Sequence, residues 1–376
     1  MLRVGFIGWR GLVGSVLTER MLENDDFTGL ETGFFSTSNP GGPGPDNLGF
    51  DTGTLADAND VEALRRFDAL ISCQGGDYTK AIHPKLRAAG WDGYWIDAAS
   101  ALRMDPASVL ALDPVNGDHI RAGLAAGKRD FCGANCTVSL MLMGLAGLFE
   151  ADLVEWMSSM TYQAASGAGA AGMLELARQM QMLGDDAGSV LNDPNATALA
   201  VDRAISASLE SSDFPIDAFG VPLAASLIPW IDSPMADGQT REEWKAQAEG
   251  NKILGNDESP IPMDGICVRV GAMRCHSQAF MMKLKKPIGL DEVTACIDSA
   301  HEWSGVVANT PEETRKQLSP AAVTGSLNVP VGRVRKLAMG AEYLGAFSVG
   351  DQLLWGAAEP LRRMLTILRE HLKEAD

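Results

Sequence analysis

Cys136 combines the features that a nucleophilic thiol needs. It follows the apolar segment 129–133 in the sequence GANCT, and the apolar pattern of a helix begins directly after it. A thiol at a helix N-terminus lies in the positive field of the peptide dipoles, which lowers its pKa and favours the thiolate. Asn135 or Thr137 could cap this helix. Position alone leaves a buried structural cysteine as an equal alternative. We predict that role for Cys73 and Cys132, which lie in apolar strands.

A thiolate nucleophile also needs a proton acceptor, and five histidines are available. Four of them lie in helical patterns away from other candidate residues. His276 differs because it lies in RVGAMRCHSQ, close to Arg269 and Arg274, at a predicted strand end or hairpin. Taken alone, this segment favours an ordinary hydrogen-bonded strand histidine, so His276 becomes a candidate base only together with Cys136.

A glycine-rich turn, GWRGLVG at residues 8–14, follows the first predicted strand and precedes a helix. Glycines at this place allow a tight turn and close approach of the backbone to phosphates, which the free N–H groups of the helix then bind. The spacing is GxxGxxG rather than GxGxxG. An ordinary strand–helix turn is the alternative, and the context favours a nucleotide site.

The end of the second predicted strand bears on the choice of nucleotide. An NAD site usually has an acidic residue there to bind the ribose 2′-hydroxyl. This strand ends in FFSTS, and Glu31 comes too early. The hydroxyls of Thr37 and Ser38 leave room for a 2′-phosphate, and Arg10 can supply charge. We therefore predict NADP, although these hydroxyls could simply begin a loop.

Hydrophobic periodicity places these candidates on two domains. Strands are predicted at 3–8, 31–36, 68–73, 94–98 and 129–133, with helices at 12–24 and 79–89 and a long loop at 39–59. This alternation indicates an α/β fold with an N-terminal Rossmann-type, doubly wound parallel sheet. Longer strands at 154–163, 266–273 and 277–284, with helices at 172–183, 197–209 and 241–254, indicate an α+β catalytic and dimerisation domain. The predicted boundaries are residues 1–135 with the C-terminal helix 357–376, and residues 136–356.

The formal net charge of −18 excludes several classes of partner. A nucleic-acid surface needs a basic stripe, and an anionic membrane attracts basic segments. The six cysteines form no CxxC pair, disulfide framework or zinc-ligand spacing, so no metal is predicted and reduced thiols in the cytoplasm are expected. An acidic protein that binds anions must group its few basic residues locally.

Long motifs across the chain resemble the bacterial aspartate-β-semialdehyde dehydrogenase family. They include GFIGWRGLVGS, FFSTS, CQGGDYT, GYWIDAAS, NCTVSLMLM, TYQAASGAGA, REEWK, VRVGAMRCHSQAF and VGDQLLWGAAEPLRRML. The resemblance runs from Val4 into the terminal helix. It implies a homodimer that reduces L-aspartyl-4-phosphate with NADPH to L-aspartate-4-semialdehyde and phosphate, for the synthesis of lysine, threonine, methionine and diaminopimelate.

The resemblance also implies roles for individual residues. Cys136 matches the acyl-thioester nucleophile, His276 the acid–base residue, and Gln163 the residue that orients the substrate. Arg269 matches the arginine that binds the substrate carboxylate, and Glu242 the carboxylate near its ammonium. Arg103 and Lys245 match a phosphate-binding pair. Cofactor contacts are implied at Arg10, Gly11, Leu12, Val13, Thr37, Ser38, Gln74, Ser166, Gly167, Pro194 and Gln352.

Helical spacing places Glu242 and Lys245 on one face of a helix that we predict at the surface, where they could also be an ordinary solvated ion pair. Ala168 departs from the family, which has a glycine there, so the geometry of the cofactor loop could differ. Three alternatives stay open: another acyl-phosphate reductase, a non-catalytic homologue and a cofactor-free cysteine hydrolase. Glu242 argues against the first because it suits a free ammonium, which N-acetylglutamyl and glyceraldehyde phosphates lack.

Overall fold

The first half of the chain folds around a parallel sheet. The structure, a computed structural model, describes residues 1–375. Its first sheet has the strand order β3-β2-β1-β4-β5-β7-β6, and every paired strand is parallel. The strands are β1 Leu2–Ile7, β2 Leu30–Ser36, β3 Ala56–Asp57, β4 Ala69–Ser72, β5 Tyr94–Asp97, β6 Ser108–Ala111 and β7 Asp130–Gly133. The intervening helices are α1 Leu12–Glu23, α2 Val61–Leu64, α3 Gly76–Ala88 and α4 Asp113–Ala125.

The turn from β1 into α1 depends on close backbone contacts. Gly8 has φ +75°, and a Cβ there would lie 2.6 Å from the carbonyl carbon of Cys73. The Gly11 N–H donates to the Gly8 carbonyl at 3.0 Å. Glycine is therefore required at position 8 by both conformation and space, and the turn lies directly beside the end of β4.

The second sheet is mixed, with the order β12-β13-β14-β11-β8-β10-β9. Its strands are β8 Val154–Gln163, β9 Leu227–Ile228, β10 Met263–Val270, β11 Cys275–Leu284, β12 Ser304–Val306, β13 Val329–Lys336 and β14 Tyr343–Asp351. The remaining helices are α5 Cys136–Glu150, α6 Gly169–Leu191, α7 Ala198–Leu209, α8 Arg241–Leu254, α9 Leu290–Ala300, α10 Pro311–Gln317, α11 Pro320–Val323 and α12 Glu359–Ala375. A 3₁₀ turn spans Ala165–Ala168, and a π-helical turn spans Leu354–Ala358.

The predicted α/β fold class is confirmed. The five strands predicted in the first half agree with the structure within one residue at each end. The hairpin considered around His276 is wrong, because β10 and β11 do not pair with each other. Both flank β8 instead: β10 is parallel to it and β11 is antiparallel to it. A local pattern cannot indicate that a distant strand lies between two neighbours in sequence.

The C-terminal helix packs on the first sheet. Leu361, Met364, Leu365 and Leu368 belong to the same buried cluster as the β1 residues Val4 and Phe6. The strand β1 is thus covered by a segment that lies more than 350 residues away in sequence. Within residues 1–375, no helix combines the length and the apolar character needed to cross a membrane.

A fully buried carboxylate, Glu359, fixes the start of α12. It accepts hydrogen bonds from Arg20 Nε at 2.5 Å and from Arg362 Nε at 3.0 Å. Removing one member of a buried ion pair leaves uncompensated charge and costs about 3–5 kcal/mol. We expect Glu359→Gln to lower the free energy of unfolding by at least about 2 kcal/mol, measured by urea unfolding at a fixed protein concentration.

The control for this prediction is Glu370→Gln, which removes an exposed partner of Arg121 from the same helix. Exposed pairs contribute about 0–1 kcal/mol. Equal destabilisation by the two variants would show that the buried cluster does not hold α12 in place.

Candidate active site

The thiol of Cys136 lies where the two sheets meet. Cys136 is the first residue of α5, which follows β7 after two residues. The Asn135 side chain accepts hydrogen bonds from the N–H groups of Thr137 at 2.9 Å and Val138 at 3.2 Å, so it caps the helix. Of the two caps considered from the sequence, Asn135 is the one that the structure uses.

His276, the second residue of β11, brings its imidazole to this thiol. Its Nε2 lies 3.3 Å from Cys136 Sγ, and the ring is fully buried. The N–H of Ala164 donates to Nδ1 at 2.9 Å. Because Nδ1 acts as an acceptor, the neutral ring carries its proton on Nε2 and points it at the sulfur.

Burial controls the protonation of both groups. It raises the pKa of Cys136 to about 12, and nearby Glu242 adds to this, whereas Arg269, Lys245 and Arg103 act in the opposite direction. The lowered pKa expected for a helix N-terminus is therefore wrong, because the effect of burial on this thiol is larger. Burial and the charge of Arg269 hold the pKa of His276 well below its usual value. Both shifts favour a neutral thiol beside a neutral imidazole.

Arg269 lies near the C-terminal end of β10, beside the thiol–imidazole pair. Its Nη1 donates to the Ala164 carbonyl at 2.8 Å and to Gln163 Oε1 at 3.5 Å. Burial lowers the pKa of this guanidinium from its ordinary value, and arginine still stays charged at neutral pH. A buried cation in a cavity is suited to binding a carboxylate.

Glu242 and Lys245 form a buried pair on α8. Lys245 Nζ lies 2.8 Å from Glu242 Oε2, while Glu242 Oε1 accepts from the amides of Asn135 at 3.0 Å and Gln163 at 3.2 Å. Burial alone would raise the pKa of Glu242, but Lys245 and the two amides bring it below its usual value. The shared helix face predicted from the spacing is observed. The predicted surface location is wrong, because both side chains are less than a tenth exposed.

Arg103 approaches the same region from the loop after β5. Its Nη2 donates to the Ala98 carbonyl at 3.0 Å, and its Nη1 lies 3.3 Å from Glu249 Oε1. Its Nε has no partner among the described residues. A planar guanidinium held in this way keeps donors available for a ligand.

These groups surround one cavity of about 420 Å³. Its lining includes three cations and two carboxylates around the thiol. The residues are Val13, Ala98, Ser100, Arg103, Asn135, Cys136, Gln163, Gly167, Ile231, Asp232, Glu242, Lys245, Arg269, Gln352, Gly356 and Ala357.

A second cavity, of about 380 Å³, lies at the glycine-rich turn. Arg10 Nη2 donates there to the hydroxyls of Ser36 at 3.3 Å and Ser38 at 3.4 Å, and Gln74 donates to Thr37 Oγ1 at 3.3 Å. The lining residues are Gly8, Trp9, Arg10, Gly11, Phe35, Ser36, Thr37, Ser38, Cys73 and Gln74. Gln352 Oε1, in the catalytic cavity, is buried without a partner among the described residues. A basic, hydroxyl-lined cleft and an unpaired buried acceptor fit the two ends of a dinucleotide.

Comparison with known proteins identifies the family. Residues 3–123 match the semialdehyde dehydrogenase NAD binding domain, and residues 145–355 match the semialdehyde dehydrogenase dimerisation domain. A solved aspartate semialdehyde dehydrogenase from Francisella tularensis is 48% identical, covers 98% of this chain and 100% of its own, and superposes with a TM-score of 0.93. The chain belongs to the aspartate-semialdehyde dehydrogenase family. The predicted family and enzyme class are thereby confirmed, and the dimerisation domain supports the predicted homodimer.

More distant family members share the whole fold. Aspartate semialdehyde dehydrogenase II of Vibrio cholerae, solved in complex with ASA, is 26% identical over 98% of both chains, with a TM-score of 0.77. The enzyme of Candida albicans, solved with NADP, is 16% identical over 99% of both chains, with a TM-score of 0.65. The latter likeness concerns the fold alone.

The residues predicted from the sequence divide into those that line the two cavities and those that do not. All the predicted catalytic, substrate and phosphate residues except His276 line the catalytic cavity, and His276 contacts Cys136 directly. Leu12 packs against the first hydrophobic core, and Ser166 donates to the Arg274 carbonyl. Pro194 is exposed after α6 and lines neither cavity. The individual roles stay predictions.

Three polar residues that contact the predicted site residues were not predicted from the sequence. Glu249 is buried behind Arg103 and also accepts the Asn135 N–H at 2.6 Å. It lies seven residues after Glu242 and four after Lys245, so helical spacing could have placed it on the same face. Ser36, inside the FFSTS motif, receives Arg10. Asp232 lies in a loop, and no periodic pattern signals it.

Ala168, the departure from the family pattern, causes no strain. It has φ −92° and ψ 9°, which alanine adopts without a steric penalty, whereas the following Gly169 has φ +78°. The change expected in the cofactor loop is therefore not required by the backbone.

Gly167 provides a test of the substrate site. A Cβ there would lie 2.6 Å from Arg269 Nη1 and 3.3 Å from His276 Cε1. Alanine must therefore displace the guanidinium, and a displacement of about 1 Å in a substrate-binding group can cost about 10²-fold. We expect Gly167→Ala to lower kcat/KM for the semialdehyde by about 10- to 100-fold.

The matched control is Gly184→Ala in α6, where a Cβ would meet no atom within 4 Å. Alanine there should leave kcat/KM unchanged and stabilise the helix by about 1 kcal/mol. Wild-type kinetics in Gly167→Ala would mean that Arg269 has room to retreat without loss of function.

Proposed function

We propose that this protein catalyses the reversible, NADP-dependent reductive dephosphorylation of L-aspartyl-4-phosphate to L-aspartate-4-semialdehyde through a thioester on Cys136. The observation that carries the proposal is the Sγ–Nε2 contact of 3.3 Å between Cys136 and His276, inside a cavity that also holds Arg269 and Glu242. The proposed place of action is the cytoplasm, where a catalytic thiol stays reduced. The proposed role is in lysine, threonine, methionine and diaminopimelate synthesis.

The charged side chains near the thiol are complementary to the α-carboxylate and the α-ammonium of an amino acid. Arg269 would bind the α-carboxylate with two parallel hydrogen bonds, and Glu242 would face the α-ammonium. Gln163 lies between them, donating to Glu242 and accepting from Arg269. It can therefore orient the substrate so that its C4 carbonyl faces Cys136. A substrate with an acylated amine would leave Glu242 without its cationic partner, which favours aspartyl phosphate over N-acetylglutamyl phosphate.

Substrate binding would change the protonation balance at Cys136. A substrate carboxylate on Arg269 neutralises the charge that lowers the pKa of His276. The Nε2–H of His276 can stabilise the negative charge that develops on the sulfur. Attack on the acyl phosphate makes a C–S bond and breaks the C–O bond to phosphate, and the thiol proton passes to the leaving phosphate oxygen, so that a thioester remains.

His276 would also lie close to the oxygen that becomes charged during reduction, because this oxygen is bonded to the carbon that Cys136 attacks. Bound NADPH supplies the hydride that reduces the thioester. The Nε2–H, held in place because Nδ1 accepts from Ala164, can donate to the oxyanion at C4. When the C–S bond breaks, the carbonyl re-forms as an aldehyde and the same N–H donates to the departing thiolate. His276 would thus donate from the same Nε2–H in both steps, which corresponds to the acid part of the predicted acid–base role.

NADP is favoured over NAD by the cleft beside β2. Arg10 lies against the Ser36 and Ser38 hydroxyls, and within the described cleft lining no carboxylate is present to repel a 2′-phosphate. Gly8 and Gly11 allow a diphosphate to approach the backbone at the start of α1. Gln352 Oε1 could accept a hydrogen bond from the nicotinamide amide.

Phosphate-dependent formation of NADPH from aspartate semialdehyde tests the proposal. We expect turnover with aspartate semialdehyde and none with N-acetylglutamate semialdehyde. Cys136→Ala should reduce activity by more than about 10³-fold while NADP still binds, because no other cysteine is among the described residues that line the cavity. Cys296→Ala, which changes a partly exposed cysteine of α9, is the control. A loss of less than tenfold in Cys136→Ala would remove the nucleophile assignment.

The choice of cofactor has its own test. Ser38→Asp places a carboxylate where Arg10 would meet the 2′-phosphate, so repulsion should raise the Kd for NADP at least tenfold and leave the Kd for NAD nearly constant. Ser212→Asp, an exposed position in the second domain, controls for the added charge. Fluorescence titration measures both constants. Equal effects on NAD and NADP would place the ribose elsewhere.

A further inference from the structure

The loop between β9 and α8 places a second carboxylate on Lys245. Asp232 Oδ2 lies 2.9 Å from Lys245 Nζ, while Glu242 Oε2 lies 2.8 Å from the same atom. Asp232 lines the catalytic cavity together with Cys136 and Arg103. An ammonium group has three donors, and two of those on Lys245 are directed at carboxylates. The cation predicted to bind phosphate is therefore already neutralised.

The two carboxylates differ in how firmly they are held. Glu242 is buried on a helix and also accepts from Asn135 and Gln163. The Asp232 side chain is one-third exposed and lies on a loop, where its other oxygen accepts from the N–H of the following Ser233. Of the two partners of Lys245, Asp232 is the one that can exchange for another anion.

The backbone of Asp232 favours that exchange. Its φ is +72°, in the left-handed region that non-glycine residues seldom occupy. The carboxylate contacts Lys245 from this conformation, so the contact helps to hold a backbone of higher energy. Loss of the contact to a competing anion would let the loop relax, which lowers the cost of displacing Asp232.

We propose that Asp232 is the resident counter-ion of Lys245 and that the phosphate group displaces it, so that Asp232 sets the affinity of the site for phosphate. The inference rests on the proposed function, because it uses the same phosphate position. A dianion cannot approach Lys245 closely while the carboxylate stays within 3 Å of it, since like charges repel. Asp232 thus weakens phosphate binding and helps phosphate to leave after the thioester has formed.

The charge-removing variant Asp232→Asn separates this role from simple positioning of Lys245. If Asp232 competes with phosphate, Asp232→Asn lowers the KM for phosphate about 3- to 10-fold, with no comparable change in the KM for the semialdehyde. If Asp232 instead holds Lys245 in place, the same variant raises the KM for phosphate and overturns the proposal. An unchanged KM also overturns it.

A second variant guards against a local folding defect. Asp232→Gly removes the carboxylate and suits the positive φ, so it should lower the KM for phosphate as Asp232→Asn does.

In a Lys245→Gln background, Asp232→Asn should have no further effect on this KM, because the competition acts through Lys245. An effect of the same size in that background would contradict the proposed partner. Asp152→Asn, which removes a carboxylate paired with Lys285 on the surface, controls for net charge.

Direct binding distinguishes failure of this inference from failure of the proposed function. Calorimetric titration with inorganic phosphate alone requires no turnover, and Asp232→Asn should lower the Kd by the same factor as the KM. If the wild-type protein forms NADPH with phosphate but the variant binds phosphate no more tightly, only the role of Asp232 is wrong. If the wild-type protein shows no phosphate-dependent turnover, the proposed function itself fails.

Discussion

Arg103, Lys245 and Arg269 are buried around a single thiol. Burying a charge without a compensating partner would lower the free energy of unfolding by several kcal/mol or more. The site meets this constraint by placing carboxylates beside the cations. Glu242 and Asp232 contact Lys245, Glu249 contacts Arg103, and Arg269 relies on the Ala164 carbonyl and the Gln163 amide. Arg269 is therefore the one of the three cations without a carboxylate partner among the described residues. A substrate carboxylate bound to Arg269 would therefore supply the counter-charge that this cation lacks.

The same compensation connects the two domains. Glu249, on α8 of the second domain, accepts both the Asn135 N–H, two residues after β7 of the first sheet, and the Arg103 guanidinium. Asn135 in turn caps α5 and donates to Glu242. The thiol of Cys136 is thus positioned by hydrogen bonds to buried charges as well as by its own helix. Rigid placement of a reactive group is worth several kcal/mol of a reaction barrier.

Regular elements and their spacing could be predicted because hydrophobic periodicity reports them directly. The helix that carries Glu242 and Lys245 was predicted with its observed bounds, and their shared face follows from 3.6 residues per turn. Its burial was not predicted, since charged residues normally indicate a solvated face. The position of β8 between β10 and β11 depends on long-range pairing. Asp232 depends on an unusual loop conformation, and the tautomer of His276 depends on a backbone N–H that no side-chain pattern encodes.

The packing of α12 on the first sheet has a consequence for synthesis of the chain. The strands β1 and β2 leave the ribosome before Leu361, Leu365 and Leu368, which cover part of their core. At elongation rates of about 5–20 residues per second, roughly 20–75 s separate these events. During this time, the apolar surface of the first sheet that α12 later covers is exposed to solvent. Translation speed and chaperone access would affect its yield more than that of a domain encoded by one continuous segment.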